Sequence, residues 1–135
     1  MEIINLPKIE DPRGNLTFIQ NRDQIPFKIQ RVYWIYDVPG GEERDGHAYK
    51  KSKELIIALS GSFDIIIKEP ESQKVIHCSR SYEGIYVPSR TWRKLTNFST
   101  NSLALVLSST KYTKDDYIRS FKEFKRIKKT NYVKY

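Results

Sequence analysis

Cysteine is almost missing from this chain of 135 residues: Cys78 stands alone. A single thiol rules out an internal disulfide framework and fits a reducing, cytoplasmic setting. No apolar run approaches the length that crosses a bilayer. The start, MEIINLPKIEDPRG, has neither the basic opening nor the apolar centre of a signal peptide. Internal repeats, low-complexity segments and linkers are lacking as well, so one domain with one core is expected. Helix-turn-helix, RNP and zinc-finger patterns are also missing, which argues against a nucleic-acid partner despite the net charge of +8.

That excess of positive charge has two parts. Lys122, Lys125, Arg126, Lys128, Lys129 and Lys134 crowd the C-terminal end and read as the solvated face of a helix and its tail. Arg13, Arg31, Arg44, Arg90 and Arg93 are scattered through the body instead. Guanidinium groups meet phosphate oxygens in bidentate fashion, so several of them around one cavity would suit a pyrophosphate.

Residues 2–9 read as a short edge strand, because Pro7 interrupts Ile3, Ile4, Leu6 and Ile9. Asp11-Pro12-Arg13-Gly14 carries turn chemistry. Residues 15–20 alternate, and a β-rich run covers 28–38. After the glycine-bearing loop 40–46, one strand is expected to run through Leu59, ending at a Ser60-Gly61 turn. Further strands are expected over 62–68, 74–78, 85–87, 91–98 and 102–108. Many short strands between turn residues predict an all-β sandwich or barrel over residues 1–110. Residues 111–135 are expected to add a helix and tail to the same domain. Thr113 to Asp116 would start that helix, with Tyr117, Ile118, Phe121, Phe124 and Ile127 at helical spacing.

Gly41, His47, Glu54 and Gly61 fall in the register of the first cupin motif, with Tyr49 where the motif has its second histidine. Gly84 to Pro88, followed by Arg93 and Asn97, resembles the second motif, and Arg93 stands in the third histidine's place. Asp11 to Gly14, Arg31 to Asp37, Tyr86-Val87-Pro88, Trp92 and Asp115 to Arg119 extend the likeness along the chain. Through these residues the chain is similar to the sugar-nucleotide 3,4-ketoisomerases. These are cupins that act on dTDP-4-keto-6-deoxyglucose on the way to deoxyamino sugars of bacterial surface glycans. The resemblance implies a jelly-roll β-barrel with a C-terminal α-helix; no cofactor is expected. It also implies a dTDP-linked 4-keto-6-deoxy sugar as substrate and a homodimer that exchanges N-terminal strands. Relatives carry His-Ala-His where this chain has His47-Ala48-Tyr49.

Residues two apart on a strand share a face, so His47 and Tyr49 would set an imidazole and a phenol side by side. Moving a carbonyl from C4 to C3 of a hexose needs a base for the C3 proton and stabilisation of an enediol oxygen. An imidazole titrating near ~6.5 suits the first task, which makes His47 the expected general base. Tyr49 is expected to donate a proton or hydrogen-bond the enediolate, and Arg93 to offset its charge. Arg13, Arg44, Lys50, Tyr33 and Trp92 are the expected substrate-binding residues: the cations for phosphate or sugar hydroxyls, the aromatics for the cavity wall or thymine. No metal is expected, since Tyr49 and Arg93 replace two cupin ligands and a guanidinium repels a divalent cation. Glu54 then reads as an ion-pair partner or strand-edge carboxylate.

Each of these residues also has a plainer reading. His47 would be a hydrogen-bonded barrel histidine, Tyr49 a space filler, and Tyr33 and Trp92 core aromatics. Arg13 and Arg44 would be surface turn residues and Lys50 a solvated lysine. His77 reads as structural and Cys78 as a small buried hydrophobe. A related 3- or 5-epimerase and a non-catalytic sugar-nucleotide binder are the alternatives to a ketoisomerase.

Overall fold

Branched and aromatic residues two apart build most of this chain. The computed structural model describes residues 1–133, without the side chains of Asp45 and residues 130–133. Lys134 and Tyr135, the end of the expected tail, lie outside the described residues. The strands are β1 (Glu2–Asn5), β2 (Lys8–Ile9), β3 (Leu16–Thr17), β4 (Arg31–Tyr36), β5 (Arg44–Tyr49) and β6 (Glu54–Ser60). Then come β7 (Phe63–Lys68), β8 (Gln73–Cys78), β9 (Glu83–Val87), β10 (Trp92–Thr96), β11 (Leu103–Ser108), β12 (Tyr117–Ile118) and the helix α1 (Phe121–Val133).

One sheet has the order β1-β9-β6-β11-β4 and the other β12-β5-β10-β7-β8, while β2 and β3 form a separate ribbon. This is the all-β fold with a C-terminal helix that the strand pattern predicts. The two ladders stay separate, so the expected barrel is an open sandwich. The edges β4 and β12 both contribute side chains to the cavity at its mouth. No helix among the described residues is long and apolar enough to cross a membrane.

Burial explains the register. On β7, Phe63, Ile65 and Ile67 are buried, and they meet Ile56, Ala58, Ile85, Leu95 and Val106 between the sheets. Strand β6 is buried on both faces: Ile56 and Ala58 point to that core, Leu55 and Ile57 to the outer side. There Leu6, Ile25 and Phe27 of the N-terminal segment cover them. Full burial of each such side chain stabilises by about 1.5–3 kcal/mol, which is why β6 reads as an unbroken apolar run.

Two expectations need correction. The strand expected to run through Leu59 is two strands in different sheets, β5 and β6. Asp116 holds the break, taking hydrogen bonds from the backbone N–H of Lys51 (2.7 Å) and Ser52 (3.2 Å) and from the Ser52 hydroxyl. The second correction concerns Tyr117 and Ile118, which are not helical. They pair antiparallel with Tyr49 and Ala48 of β5 as strand β12. The helix starts only at Phe121, where Ser120 Oγ accepts the Glu123 N–H at 3.3 Å. Thr113 makes no capping bond, and residues 114–116 form a single 3₁₀ turn. Helix α1 carries no basic residue in its last turn, so its cations do not gather at the dipole's negative end.

Candidate active site

Antiparallel pairing decides which side chains meet at the mouth. Residues opposite each other on neighbouring strands point to the same face. Arg93 of β10 pairs with His47 of β5, and Tyr117 of β12 pairs with Tyr49 of β5. The four therefore line one side of a cavity of about 550 Å³. Across it, β4 supplies Arg31, Tyr33 and Ile35, its inward residues, while Glu43, Arg44, Tyr112 and Arg119 complete the rim.

The rings interlock. His47 lies edge-on to Tyr49, with centroids 4.8 Å apart at 82°, and 5.1 Å from the Tyr117 ring. Tyr49 and Tyr117 are 4.7 Å apart at 61°. The Tyr49 hydroxyl donates to the Tyr117 oxygen at 3.3 Å and sits 3.5 Å from the Tyr33 hydroxyl. Tyr33 in turn donates to Glu54 Oε2 in a short hydrogen bond.

Glu54 binds Arg93 from the far side. Arg93 Nε and Nη2 donate to Glu54 Oε1 at 3.1 and 3.0 Å, and Nη2 also reaches the Tyr33 hydroxyl at 2.9 Å. Both partners are essentially sealed from water, Arg93 at 2% and Glu54 at 1% exposure. Burial opposes the Arg93 charge, but the Glu54 carboxylate more than offsets this and raises its pKa. Burial followed by the nearby Glu54 charge holds the Tyr33 and Tyr49 phenols well above their ordinary pKa, so both stay protonated.

This set does not fit a cupin metal. The Glu54 oxygens are taken by a guanidinium and a phenol, and no group of three His, Cys, Asp or Glu side chains is gathered among the described residues. Charge at the rim suits an anion instead. Among the described side chains that line the cavity, Arg31, Arg44 and Arg119 share the rim with one carboxylate, Glu43, which is paired with Lys94 at 3.1 Å. Arg31 packs against the Tyr33 and Tyr112 rings, 5.4 and 5.7 Å from their centroids, and Arg119 lies 4.2 Å over Tyr117. Arg31 Nε is buried with no hydrogen-bond partner among the described residues.

Of the residues expected from sequence, the cavity brings together His47, Tyr49, Tyr33, Arg44 and Arg93. Three do not line it. Arg13 lies on the exposed turn before β3, its guanidinium held at 3.0 Å by Asp11. Lys50 follows Tyr49 and is exposed, its N–H bonded to the Asp116 carbonyl at 2.8 Å. Trp92 precedes Arg93 and faces the other way, buried under α1 against Phe121 and Phe124 at 5.3 and 5.8 Å. Residues beyond the sequence-based set are Glu43, Tyr112, Tyr117 and Arg119. For Tyr117 and Arg119 the missed signal is spacing: two apart across the buried Ile118, they share a face.

The fold is shared with known proteins. The chain is 37% identical, over 98% of its length and 96% of the relative's, to the TDP-4-oxo-6-deoxy-α-D-glucose-3,4-oxoisomerase of Aneurinibacillus thermoaerophilus. It superposes on QdtA, a sugar 3,4-ketoisomerase from Thermoanaerobacterium thermosaccharolyticum in complex with TDP, with a TM-score of 0.94 and 34% identity, covering 96% and 95% of the two chains. A histidine-to-asparagine mutant of QdtA is known in complex with TDP-4-keto-6-deoxyglucose. The WlaRB TDP-quinovose 3,4-ketoisomerase of Campylobacter jejuni matches at a TM-score of 0.88 and 38% identity, over 93% and 96% of the chains. Residues 1–129 match the family described as FdtA: WxcM-like, C-terminal, and the chain belongs to that family.

Proposed function

We propose that this protein is a TDP-sugar 3,4-ketoisomerase, moving the keto group of a dTDP-4-keto-6-deoxyhexose from C4 to C3. The observation that carries the reading is His47 in the cavity wall, beside phenols and beneath a cationic rim. The pyrophosphate of the nucleotide sugar would meet Arg31, Arg44 and Arg119, and the hexose would extend toward His47. His47 removes the C3 proton as a neutral imidazole, the resulting enediolate is stabilised by hydrogen bonds from the wall, and the imidazolium returns a proton to C4. Arg93 anchors the wall, because Glu54 already offsets its charge. The dTDP-4-dehydrorhamnose 3,5-epimerase of Bacillus anthracis shares the fold at 15% identity, a likeness of fold alone.

A homodimer in the cytoplasm belongs to the same reading. The outer face of β4 exposes Val32 (47%), Trp34 (56%) and Tyr36 (60%) in a row, a stripe suited to a second copy of the chain. Within one chain β1 pairs with β9, and strand exchange would replace these pairs by the same pairs between subunits. Light scattering reads the assembly, and a monomer would remove this part of the reading.

The function is tested by incubating the protein with dTDP-4-keto-6-deoxyglucose in deuterated water. Expected are a 3-keto product and deuterium incorporation at the carbon that His47 serves. Tight dTDP binding with neither outcome would leave a non-catalytic sugar-nucleotide binder in its place.

A further inference from the structure

We propose that Tyr117 carries protons between the substrate's O4 and O3, with Tyr49 as the positioning residue behind it. This deepens the ketoisomerase reading and rests on it. Four tyrosines line the cavity; Tyr112 stands exposed at the rim, and the hydrogen bonds of Tyr33, Tyr49 and Tyr117 separate the roles of these three. Tyr33 gives its hydrogen to Glu54, while its oxygen accepts from Arg93 Nη2 at 2.9 Å. Tyr49, 4% exposed, gives its hydrogen to the Tyr117 oxygen at 3.3 Å. In its hydrogen bond with Tyr49 the Tyr117 oxygen is the acceptor, so its own hydrogen is not spent there, and its half-buried ring lines the cavity 5.1 Å from that of His47. Tyr117 is thus the one phenol of the three whose proton is left for a ligand.

The chemistry needs such a group. When His47 takes the proton from C3, the C–H electrons form the C3–C4 double bond, and the carbonyl π pair moves to O4. Tyr117 gives O4 its proton and becomes a phenolate, which then takes the proton from the O3 hydroxyl. The O3 electrons form the new carbonyl at C3, and C4 takes a proton from the imidazolium. Every protein group ends as it began, and no oxidant or reductant is required. While Tyr117 is a phenolate, the hydrogen bond from Tyr49 becomes charge-assisted and stronger. Arg119, 4.2 Å over the ring, holds the phenol in place and adds positive charge. Tyr49 therefore serves the reaction without touching the sugar.

The test uses the full chain with TDP-4-keto-6-deoxyglucose in deuterated water, following deuterium entry at C3 of recovered substrate separately from keto transfer. Tyr117→Phe keeps the ring and its packing. It is expected to continue the C3 exchange made by His47 while keto transfer falls by about 10²–10⁴-fold, the usual worth of one positioned proton carrier. Tyr49→Phe should lose less, lowering kcat with KM unchanged. A preserved rise in melting temperature with dTDP shows that both variants fold and bind. Tyr117→Phe turning over like the wild type would overturn the proposal, as would loss of exchange and transfer together in a variant that still binds dTDP. A wild-type protein showing neither reaction would instead remove the ketoisomerase reading, and this proposal with it.

Discussion

A guanidinium at 2% exposure keeps its charge only where a carboxylate answers it, and Glu54, at 1%, does so for Arg93. Neither group could be left alone there. Replacing Glu54 by glutamine preserves the shape but strands the cation and weakens the acceptor for Tyr33. The expected loss is about 3–5 kcal/mol of stability in urea unfolding. The double variant Glu54→Leu/Arg93→Met should lose less than the two single changes together, because no buried charge remains unpaired. A Glu54→Gln protein within about 1 kcal/mol of the parent would show the pair to be as weak as a surface bridge. The same bond network fixes the Tyr33 hydroxyl, so this stability and the geometry of the cavity wall come from the same residues.

The strands carry two-residue periodicity, and that made most of them readable in the sequence. β7 alternates buried and half-buried residues from Phe63 to Lys68, and β4 turns Arg31, Tyr33 and Ile35 inward against Val32, Trp34 and Tyr36 outward. The same rule shows why Trp92 and Lys50 are not in the cavity: each adjoins a residue that is, Arg93 and Tyr49. Strand β12 was not legible. Two residues carry no period, Tyr117, Ile118, Phe121 and Phe124 also fit a helix, and the partner strand β5 lies far back in the chain. Without β12, Tyr117 and Arg119 had no visible route to the site. Trp92 has its own task at this scale. A Cβ built on Gly46 would come within 2.5 Å of the Trp92 indole nitrogen, so the glycine lets β5 lie against the indole. Gly46→Ala should cost about 1–3 kcal/mol through overpacking and shift the tryptophan fluorescence. An alanine variant with unchanged stability and emission would mean that the contact is slack.

Across the whole molecule, burial keeps several acidic protons in place that the unfolded chain would release. Cys78, 7% exposed in the core between the sheets, has its thiol pushed up to about 12 from an ordinary 9, by burial first and then by Asp64 and Glu83. Tyr33 and Tyr49 are raised from an ordinary 10, again chiefly by burial. For such groups the folded state binds more protons than the unfolded state once pH passes the unfolded pKa, so stability falls as pH rises. Their contribution is whole below about pH 9, and Cys78 begins to lose its share there, continuing toward its folded value. The phenols follow from about pH 10. Urea unfolding at a series of alkaline pH values should therefore show a midpoint that declines from about pH 9 and steepens above about pH 10. Cys78→Ala removes the earliest titration, so its decline should start later even though its stability at neutral pH is lower from lost packing. Phenol absorbance gives an independent reading: part of the tyrosine signal should titrate only as the protein unfolds. A midpoint flat to pH 11, about one unit above the ordinary phenol value, would show that these hydroxyls and the thiol are open to water. The buried phenol wall on which the site depends would then not exist.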